Sequence, residues 1–227
     1  MWSDNKAMKI SEEELIQMAT YFQYKSLPER WRFMERNFDI KEGDVVFDCG
    51  AYHGDMAYYF SKKVGETGTV LTFEPNPNCI PILYHNMVQL GMKNVILIPM
   101  AVHNKLGLAK FFINNEWQNT GGINPNFAKF EIDSSYMQEV MTTTIDDTIK
   151  RYKLKKVNYM WFNIEANEEK AIIGAKETLL NNDIQLAIST HKLIGERNTI
   201  QDIMRVLNEY GYKCESIEKS SIYKGYK

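Results

Sequence analysis

The chain has 227 residues, 44% of them hydrophobic, and its 27 Lys and Arg and 29 Asp and Glu leave a formal net charge of -2. This length allows one domain with a sizeable core, and the ordinary shares of charged and aromatic residues, 25% and 12%, exclude wholesale disorder. The slightly acidic balance argues against a broadly nucleic-acid-binding surface, which would be basic.

The sequence also lacks the marks of a membrane or secreted protein. No apolar run approaches the roughly 18 residues of a membrane helix, and residues 1–6 have neither the basic start nor the apolar stretch of a signal peptide. Cys49, Cys79 and Cys214 are far apart and form no C-x-x-C pair, which argues against a disulfide framework or a zinc site. We therefore predict a cytoplasmic protein that binds neither membrane nor nucleic acid.

Residues 1–40 are predicted to form a helical extension ahead of the main fold. Ser11 and Glu14 make a capping-box pattern before a run of apolar residues at helical spacing. Pro28 suits the first turn of a second helix. We expect the two helices to act as a lid or as a packing brace.

From Asp44 onward, short apolar strands alternate with helices. This alternation is typical of a parallel sheet built from right-handed crossovers, so we predict one doubly wound α/β domain with a mostly parallel sheet. The last two strands are close enough to pair as an antiparallel hairpin at the sheet edge. The predicted strands lie at about residues 45–47, 69–73, 95–98, 159–162, 184–189, 212–217 and 221–226, and the helices at about residues 55–63, 77–90, 168–180 and 199–210.

The segment Asn114–Ser135 breaks this rhythm. It is rich in Asn, contains Gly121-Gly122 and Pro125, and shows no sustained period. Because no period is sustained, we interpret the segment as a long excursion from the sheet. Long loops inside compact domains are often functional. A disordered surface insertion is the alternative.

The first strand leads into a glycine turn that suggests a ligand site. Gly50 and Gly54 let the backbone approach a ligand at the carboxyl end of the strand, where open α/β sheets bind ligands. The spacing is not the G-x-G-x-x-G of a dinucleotide site, and Asp48 stands just before the turn. A carboxylate there would repel a diphosphate but suits the cationic S-adenosylmethionine, whose ammonium Asp48 would reach through a water or a turn amide.

A second acid follows the next predicted strand. A doubly wound fold places a carboxylate at the position of Glu74 for the hydroxyls of a ribose, and both hydroxyls can donate to one carboxylate. A solvated strand end is the alternative for Glu74 alone. Its combination with Asp48 on the adjacent strand favours a nucleoside-binding site.

These motifs resemble the FkbM-type family of S-adenosylmethionine-dependent methyltransferases. The likeness runs in order from about Asp44 to His191, through residues 47–54, 73–76, 94–107 and 142–147. It implies the class I, Rossmann-like fold, with residues 1–227 as a single domain, residues 1–40 as the extension and residues 41–227 as the Rossmann-like core. It also implies S-adenosyl-L-methionine as the cofactor, bound by Asp48, Gly50, Ala51, Tyr52, Gly54, Glu74, Pro75 and Ala101.

The resemblance places the candidate catalytic residues after two later strands. Asn163 replaces the Asp that the family usually shows, and Ala166 replaces its Gly. Asn can position a hydroxyl but cannot accept its proton, which puts a base role at position 163 in doubt. His191 matches the histidine of the family and is the natural base, with Glu165 in reserve or orienting the His.

The implied activity is O-methylation of a small polar acceptor, with a sugar or a nucleotide-linked sugar of surface polysaccharide biosynthesis as the first candidate. Asn, Gln and an aromatic ring in Trp117–Asn124 would suit a polyhydroxylated acceptor. One carboxylate and one His make a poor cage for a hard cation, so we predict no metal. Exposed aromatics in residues 1–40 leave a homodimer open.

Two other functions remain open at this point. The first is a nicotinamide-dependent oxidoreductase, against which Asp48 and the absent G-x-G-x-x-G count. The second is an S-adenosylmethionine-binding protein without catalysis, in which Asn163 marks lost chemistry.

Overall fold

The computed structural model describes residues 11–22, 25–113, 121–123, 137–190, 199–217 and 222–227. The helices of this part of the chain are α1 (Glu12–Tyr21), α2 (Leu27–Asn37), α3 (Asp55–Val64), α4 (Ile80–Gln89), α5 (Ile145–Tyr152), α6 (Glu168–Ile173), α7 (Lys176–Asn181) and α8 (Ile200–Glu209). The strands are β1 (Val45–Cys49), β2 (Thr69–Phe73), β3 (Val95–Ile98), β4 (Ala101–Val102), β5 (Gly107–Ile113), β6 (Gly121–Gly122), β7 (Met137–Thr143), β8 (Tyr159–Phe162), β9 (Gln185–Ser189), β10 (Lys213–Ser216) and β11 (Ile222–Tyr226).

The main sheet has seven strands in the order β10-β11-β9-β8-β1-β2-β3. Strands β9, β8, β1, β2 and β3 pair in parallel, whereas β11 is antiparallel to both β9 and β10. The chain reverses direction across the sheet between β1 and β8, and ligands of doubly wound folds bind at such a switch point. The prediction of a doubly wound, mostly parallel α/β sheet with an antiparallel C-terminal edge is confirmed.

A second sheet of four strands, in the order β4-β7-β5-β6, was not predicted. Its main pair is β5 with β7, antiparallel from Gly107↔Thr142 to Phe112↔Met137. Two of its strands have only two residues each, too few to show a period. Within the predicted excursion, Gly121 and Gly122 pair with β5 as strand β6. Residues 114–120 and 124–136 of that segment lie outside the described residues.

Strand β1 shows how the sequence builds the core on both faces of the main sheet. Val46 and Phe47 are fully buried but point to opposite sides, as successive strand residues must. Phe47 packs in the cluster that α6, α7 and α8 cover, and Val46 in the cluster that α2 and α3 cover. A strand buried on both faces is continuously apolar, which is why this segment was recognisable in the sequence.

The helix predicted over residues 168–180 is interrupted at Gly174, so α6 ends at Ile173 and α7 begins at Lys176. The carbonyl oxygen of His103 occupies the space that a Cβ at position 174 would need. The carbonyl of Gly174 in turn accepts a hydrogen bond from the backbone N–H of Asp146 (3.1 Å). This close approach joins the helices of the main sheet to the second sheet.

The two predicted N-terminal helices are both present. Ser11 caps α1, its Oγ accepting a hydrogen bond from the N–H of Glu14 (3.1 Å), and Pro28 lies in the first turn of α2. Trp31 of α2 is buried and its ring stacks on Tyr58 of α3, with ring centroids 5.9 Å apart. In the described part of the chain, no helix combines the length and the apolar character needed to cross a membrane.

Candidate active site

A cavity of about 770 Å³ opens at the carboxyl ends of β1, β2 and β8. Seven of the residues predicted for the site line it: Gly50, Tyr52, Glu74, Pro75, Ala101, Asn163 and Glu165. Three others, Asp48, Ala51 and Gly54, lie behind its surface. His191 lies outside the described residues.

The turn after β1 is held against β2 by its own backbone. The N–H groups of Gly50 and Ala51 both donate to the carbonyl oxygen of Phe73, each at 3.0 Å. Gly50 and Gly54 have φ of +94° and +95°, a left-handed conformation that favours glycine. The carbonyl oxygen of Asn163 occupies the position that a Cβ of residue 50 would need. Because Gly50 has no Cβ, the loops after β1 and β8 can lie in direct contact there.

Glu74 connects this turn to the end of β2. Its Oε2 accepts a hydrogen bond from the N–H of Tyr52 (2.7 Å), and its Oε1 accepts one from the N–H of Asn76 (2.8 Å). Burial raises the pKa of the carboxyl to about 7, although these two bonds act in the opposite direction. The carboxylate is thus fixed in orientation at the cavity surface, and each oxygen keeps a lone pair with which to accept from a hydroxyl.

Asp48 occupies a different environment from Glu74. It is fully buried, and its Oδ2 accepts a hydrogen bond from the hydroxyl of Thr72 (2.7 Å). Its Oδ1 has no hydrogen-bond partner among the described residues. Because Asp48 does not reach the cavity surface, contact with a ligand ammonium would need a bridging group, and that contact stays a prediction.

Asp48→Asn should make the stability of the unliganded protein less sensitive to pH. Burial raises the pKa of Asp48 to about 7, above its unfolded value, so the folded state keeps a proton that the unfolded state loses. The stabilising contribution of protonated Asp48 therefore falls as pH rises from about 4 to about 7. The quantity compared is the free energy of unfolding of Asp48→Asn minus that of wild type. We expect this difference to be about 2 to 3 kcal/mol higher at pH 8 than at pH 5.

Urea unfolding of both proteins at the two pH values measures this difference. Glu74 titrates in the same range, and the charge of Asp48 contributes to its raised pKa, so the comparison is repeated in a Glu74→Gln background, where the titration of Glu74 is removed. An equal effect of the substitution at pH 5 and pH 8 would contradict a buried carboxyl with a raised pKa.

The turn after β8 carries two of the three candidate catalytic residues. The N–H of Asn163 donates to the carbonyl oxygen of Cys49 (3.0 Å), which aligns the ends of β8 and β1. Glu165 and Ala166 follow with φ of +52° and +65°, so Ala166 adopts the conformation that the family's glycine would take more easily. Asn163 and Glu165 are half-buried and line the same cavity as Glu74.

The cavity also contains residues that sequence reasoning missed. Tyr21, Phe22 and Arg30 come from the N-terminal helical segment, and Asn86 comes from α4. The hydroxyl of Tyr21 donates to Oδ1 of Asn86 (3.0 Å), and Nδ2 of Asn86 donates to the carbonyl oxygen of His53 (2.8 Å). No sequence pattern indicated these residues, because their places depend on how α1 and α2 dock.

The predicted acceptor loop is described only in part. Gly121, Gly122 and Ile123 line the cavity, whereas residues 117–120 and Asn124 lie outside the described residues. Within the described ranges, no group of three or more His, Cys, Asp or Glu side chains could hold a metal ion, and the predicted absence of a metal stays a prediction.

Comparison with known proteins identifies the family. The family model for the methyltransferase FkbM domain matches the sequence over residues 48–214. This range includes the glycine turn, Glu74 and the turn after β8. The chain belongs to the FkbM methyltransferase family. The family is one of S-adenosylmethionine-dependent methyltransferases, so this membership sets aside the oxidoreductase alternative.

Three known proteins show how far the likeness of this FkbM methyltransferase extends. A tRNA (adenine(57)-N(1)/adenine(58)-N(1))-methyltransferase of Methanocaldococcus jannaschii is 31% identical over 65 residues, 29% of this chain and 23% of its own. Protein-L-isoaspartate O-methyltransferase 1 of Archaeoglobus fulgidus is 30% identical over 95 residues, 38% of this chain and 44% of its own. The crystal structure of the methyltransferase FkbM from Methylobacillus flagellatus superposes with a TM-score of 0.56 at 14% identity, over 81% of this chain and 43% of its own.

This FkbM methyltransferase thus spans less than half the length of each of these relatives. At 14% identity the crystal structure supports the fold alone. The acceptors of the curated relatives, a tRNA and a protein, differ from each other, so the family membership does not by itself identify the acceptor of this chain.

The residues of the cavity fit S-adenosylmethionine. Glu74 lines the cavity with a carboxylate that could accept hydrogen bonds from ribose hydroxyls, and Gly50, which has no side chain, lets the backbone form the cavity surface. The acidic groups at this end of the sheet, Glu74, Asp48 and Asp55, are compatible with a cation and would repel a diphosphate.

Proposed function

We propose that this FkbM methyltransferase transfers a methyl group to a hydroxyl of a small polar acceptor, a sugar or a nucleotide-linked sugar. The mixed lining of the cavity is the observation that carries the proposal. Asn163 and Asn86 offer amide groups, and Tyr21, Phe22 and Tyr52 offer ring faces. Amides that bond hydroxyls and rings that stack on a sugar face suit a polyhydroxylated acceptor.

We assign the cofactor contacts to the predicted residues around the turn after β1. In this proposal Glu74 accepts both ribose hydroxyls, while Gly50, Ala51, Tyr52 and Gly54 form the backbone surface along the cofactor. Pro75 and Ala101 contact the base, and Asp48 acts indirectly through Thr72 and the turn. The support for this arrangement is that Ala101, Glu74 and Gly50 follow β3, β2 and β1, which are neighbours in the sheet.

The bound cofactor supplies an electrophilic methyl carbon and leaves as S-adenosylhomocysteine. The protein must align the acceptor oxygen with that carbon and take the proton that the oxygen loses, and such alignment accounts for much of the acceleration. We assign the proton to His191, and the positioning of the hydroxyl to the Asn163 amide. Glu165 lines the cavity on the same turn and is the second candidate for the base.

The same proposal includes one structural unit over residues 1–227. Its support is that Met18, Leu27 and Trp31 pack in the same cluster as Val46 and Tyr59 of the main fold. The homodimer and the cytoplasmic location stay predictions.

A nucleic-acid acceptor is the second candidate, because one relative is a tRNA methyltransferase. The formal net charge of -2 opposes it, since nucleic-acid surfaces are basic. The two candidates differ in acceptor size and charge, and one experiment separates them.

The test supplies cofactor labelled in its methyl group and follows the label into acceptors. The panel holds free sugars, nucleotide-linked sugars, tRNA, ribosomal RNA and an isoaspartyl peptide. We expect label in a sugar fraction, stable to the mild alkali that hydrolyses methyl esters. Label in RNA or peptide alone would overturn the proposed acceptor while leaving the methyltransferase assignment intact.

His191→Ala should abolish turnover but not cofactor binding. A general base contributes about a hundredfold or more to the rate, and His191 would act on the acceptor rather than on the cofactor. The measurements are initial rate with the accepted sugar and calorimetric affinity for S-adenosylhomocysteine. Glu165→Gln is the matched variant: full activity of His191→Ala together with an inactive Glu165→Gln would transfer the base role to Glu165.

A further inference from the structure

Three large side chains of the cavity lining remain partly open to solvent. Tyr21 at the end of α1, Tyr52 in the turn after β1 and Ile82 of α4 are 40%, 39% and 37% exposed. They come from three separate elements of the chain, and we call them the rim. A single exposed apolar residue needs no explanation, whereas several that share the lining of one cavity are typical of a ligand-binding groove.

A buried amide brings the rim together. Asn86 of α4 accepts a hydrogen bond at Oδ1 from the hydroxyl of Tyr21 (3.0 Å), and its Nδ2 donates to the carbonyl oxygen of His53 (2.8 Å). The ring of Tyr52 stacks on that of His53, with ring centroids 3.8 Å apart. Ile82 precedes Asn86 by four residues, so the two lie on the same face of α4. The three rim residues therefore converge on one point of the cavity.

The rim offers apolar surface rather than hydrogen bonds. The hydroxyl of Tyr21 already donates its proton to Asn86, and Ile82 has no polar atom. A sugar hydroxyl placed against Ile82 would lose water without gaining a partner, which is unfavourable. An alkyl or aryl group in the same place would gain from the burial of its apolar surface. The rim side chains are also uncharged, so they provide no partner for the diphosphate of a nucleotide-linked sugar.

The rim lies within about one sugar unit of the turn after β8. Tyr52 follows Gly50 by two residues, which span at most about 7 Å of extended chain. Gly50 in turn lies against the carbonyl oxygen of Asn163. A sugar whose hydroxyl is held by Asn163 can therefore place a group attached at its other end on the rim.

We propose that the rim binds an uncharged apolar group, alkyl or aryl, that is attached to the acceptor sugar. The proposal rests on the proposed function, because that function places the sugar hydroxyl at Asn163. It narrows the acceptor to a glycoside and disfavours free and nucleotide-linked sugars. It also makes Ile82 a residue that determines specificity. Phe22, the half-buried ring beside Tyr21, stays available for the sugar face.

The test measures binding to the enzyme saturated with S-adenosylhomocysteine, so no turnover is needed. Calorimetry compares the methyl glycosides of the common hexoses with the hexyl glycosides of the same sugars, below their micelle concentrations. Each buried methylene changes the affinity by about fourfold. We expect at least one hexyl glycoside to bind about 10-fold more tightly, or better, than its methyl counterpart. Glucose linked to uridine diphosphate should show no such gain over methyl glucoside.

Variants at one helix test where the hexyl group binds. Ile82→Ser should remove most of the gain, while the affinity for the methyl glycoside stays within about twofold, since only the attached group contacts Ile82. Ile82→Leu keeps an apolar side chain and should retain the gain. Val88→Ser is the matched control, because Val88 is exposed on the same helix but does not line the cavity. Thermal unfolding without ligand shows that each variant is folded.

Several results would overturn the proposal. They are equal affinities for hexyl and methyl glycosides, no binding of any hexyl glycoside, and equal effects of Ile82→Ser and Val88→Ser. A dimer in sedimentation velocity that dissociates in Ile82→Ser would assign the rim to a second copy of this chain instead.

The outcome is also separable from that of the proposed function. If a sugar takes up methyl label but the hexyl group brings no gain, the proposed function stands and the assignment of the rim is wrong. If the hexyl gain depends on Ile82 but no sugar takes up label, the rim binds an apolar group and the proposed acceptor is wrong.

Discussion

Gly50→Ala is expected to cost about 4 kcal/mol or more of folding free energy and to abolish cofactor binding. A Cβ at this position would overlap the carbonyl oxygen of Asn163, and a φ of +94° is strained for any residue with a side chain. To relieve the overlap, the loops after β1 and β8 must separate. That separation would displace Asn163 and the turn that holds Tyr52 against Glu74.

Gly211→Ala is the matched control for Gly50→Ala. Gly211 has a φ of +82°, but nothing lies within 4 Å of its added Cβ, so only the backbone strain of about 1 to 2 kcal/mol remains. Urea unfolding measures both costs, and calorimetry with S-adenosylhomocysteine measures binding. Equal destabilisation by the two substitutions would show that the contact with Asn163 is not what requires glycine.

Glu74→Ala is expected to weaken S-adenosylmethionine and S-adenosylhomocysteine by more than about 100-fold. The substitution removes the acceptor for two ribose hydroxyls and leaves the N–H groups of Tyr52 and Asn76 without their carboxylate. The turn after β1 then loses the hydrogen bond from the N–H of Tyr52 that holds it to the end of β2. Both effects act on binding, because Glu74 is a buried residue whose carboxylate lines the cavity.

The control for this variant is Glu66→Ala, which removes an exposed carboxylate outside the cavity. Calorimetric titration of both variants with S-adenosylhomocysteine separates a local effect from a change in net charge. An affinity within threefold of wild type in Glu74→Ala would exclude Glu74 as the ribose ligand and require another place for the cofactor.

The sequence could predict the parts of the site that are local. The turn after β1 needs glycine where φ is positive. An acidic residue at the buried end of β2 indicates a contact with a ligand. These requirements act on residues close together in the chain, so Gly50, Gly54 and Glu74 were identifiable. Asn163 and Glu165 were found through the family resemblance, and the structure places both at the cavity.

The remaining parts depend on tertiary packing, which single-sequence patterns do not carry. Arg30 reaches the cavity only because Trp31 packs against Tyr58 and Tyr59 and thereby fixes the rotation of α2. The break at Gly174 comes from the carbonyl of His103, a residue far away in the chain. Likewise β4 is too short to be seen as a strand until β7 pairs with it.

The two N-terminal helices differ in how firmly they hold their side of the cavity. Leu27, Trp31 and Met34 of α2 are buried, whereas Met18 is the one buried residue among the side chains described for α1. Among the described side chains α1 buries fewer than α2, and segments with fewer buried contacts open at lower free energy, so we expect α1 to detach before α2. Tyr21 at the end of α1 would leave with it, which gives substrates a route into the cavity and exposes α1 to proteases. An acceptor bound against Tyr21 and Phe22 would then shorten the time that α1 spends detached, so acceptor supply would protect the enzyme from degradation.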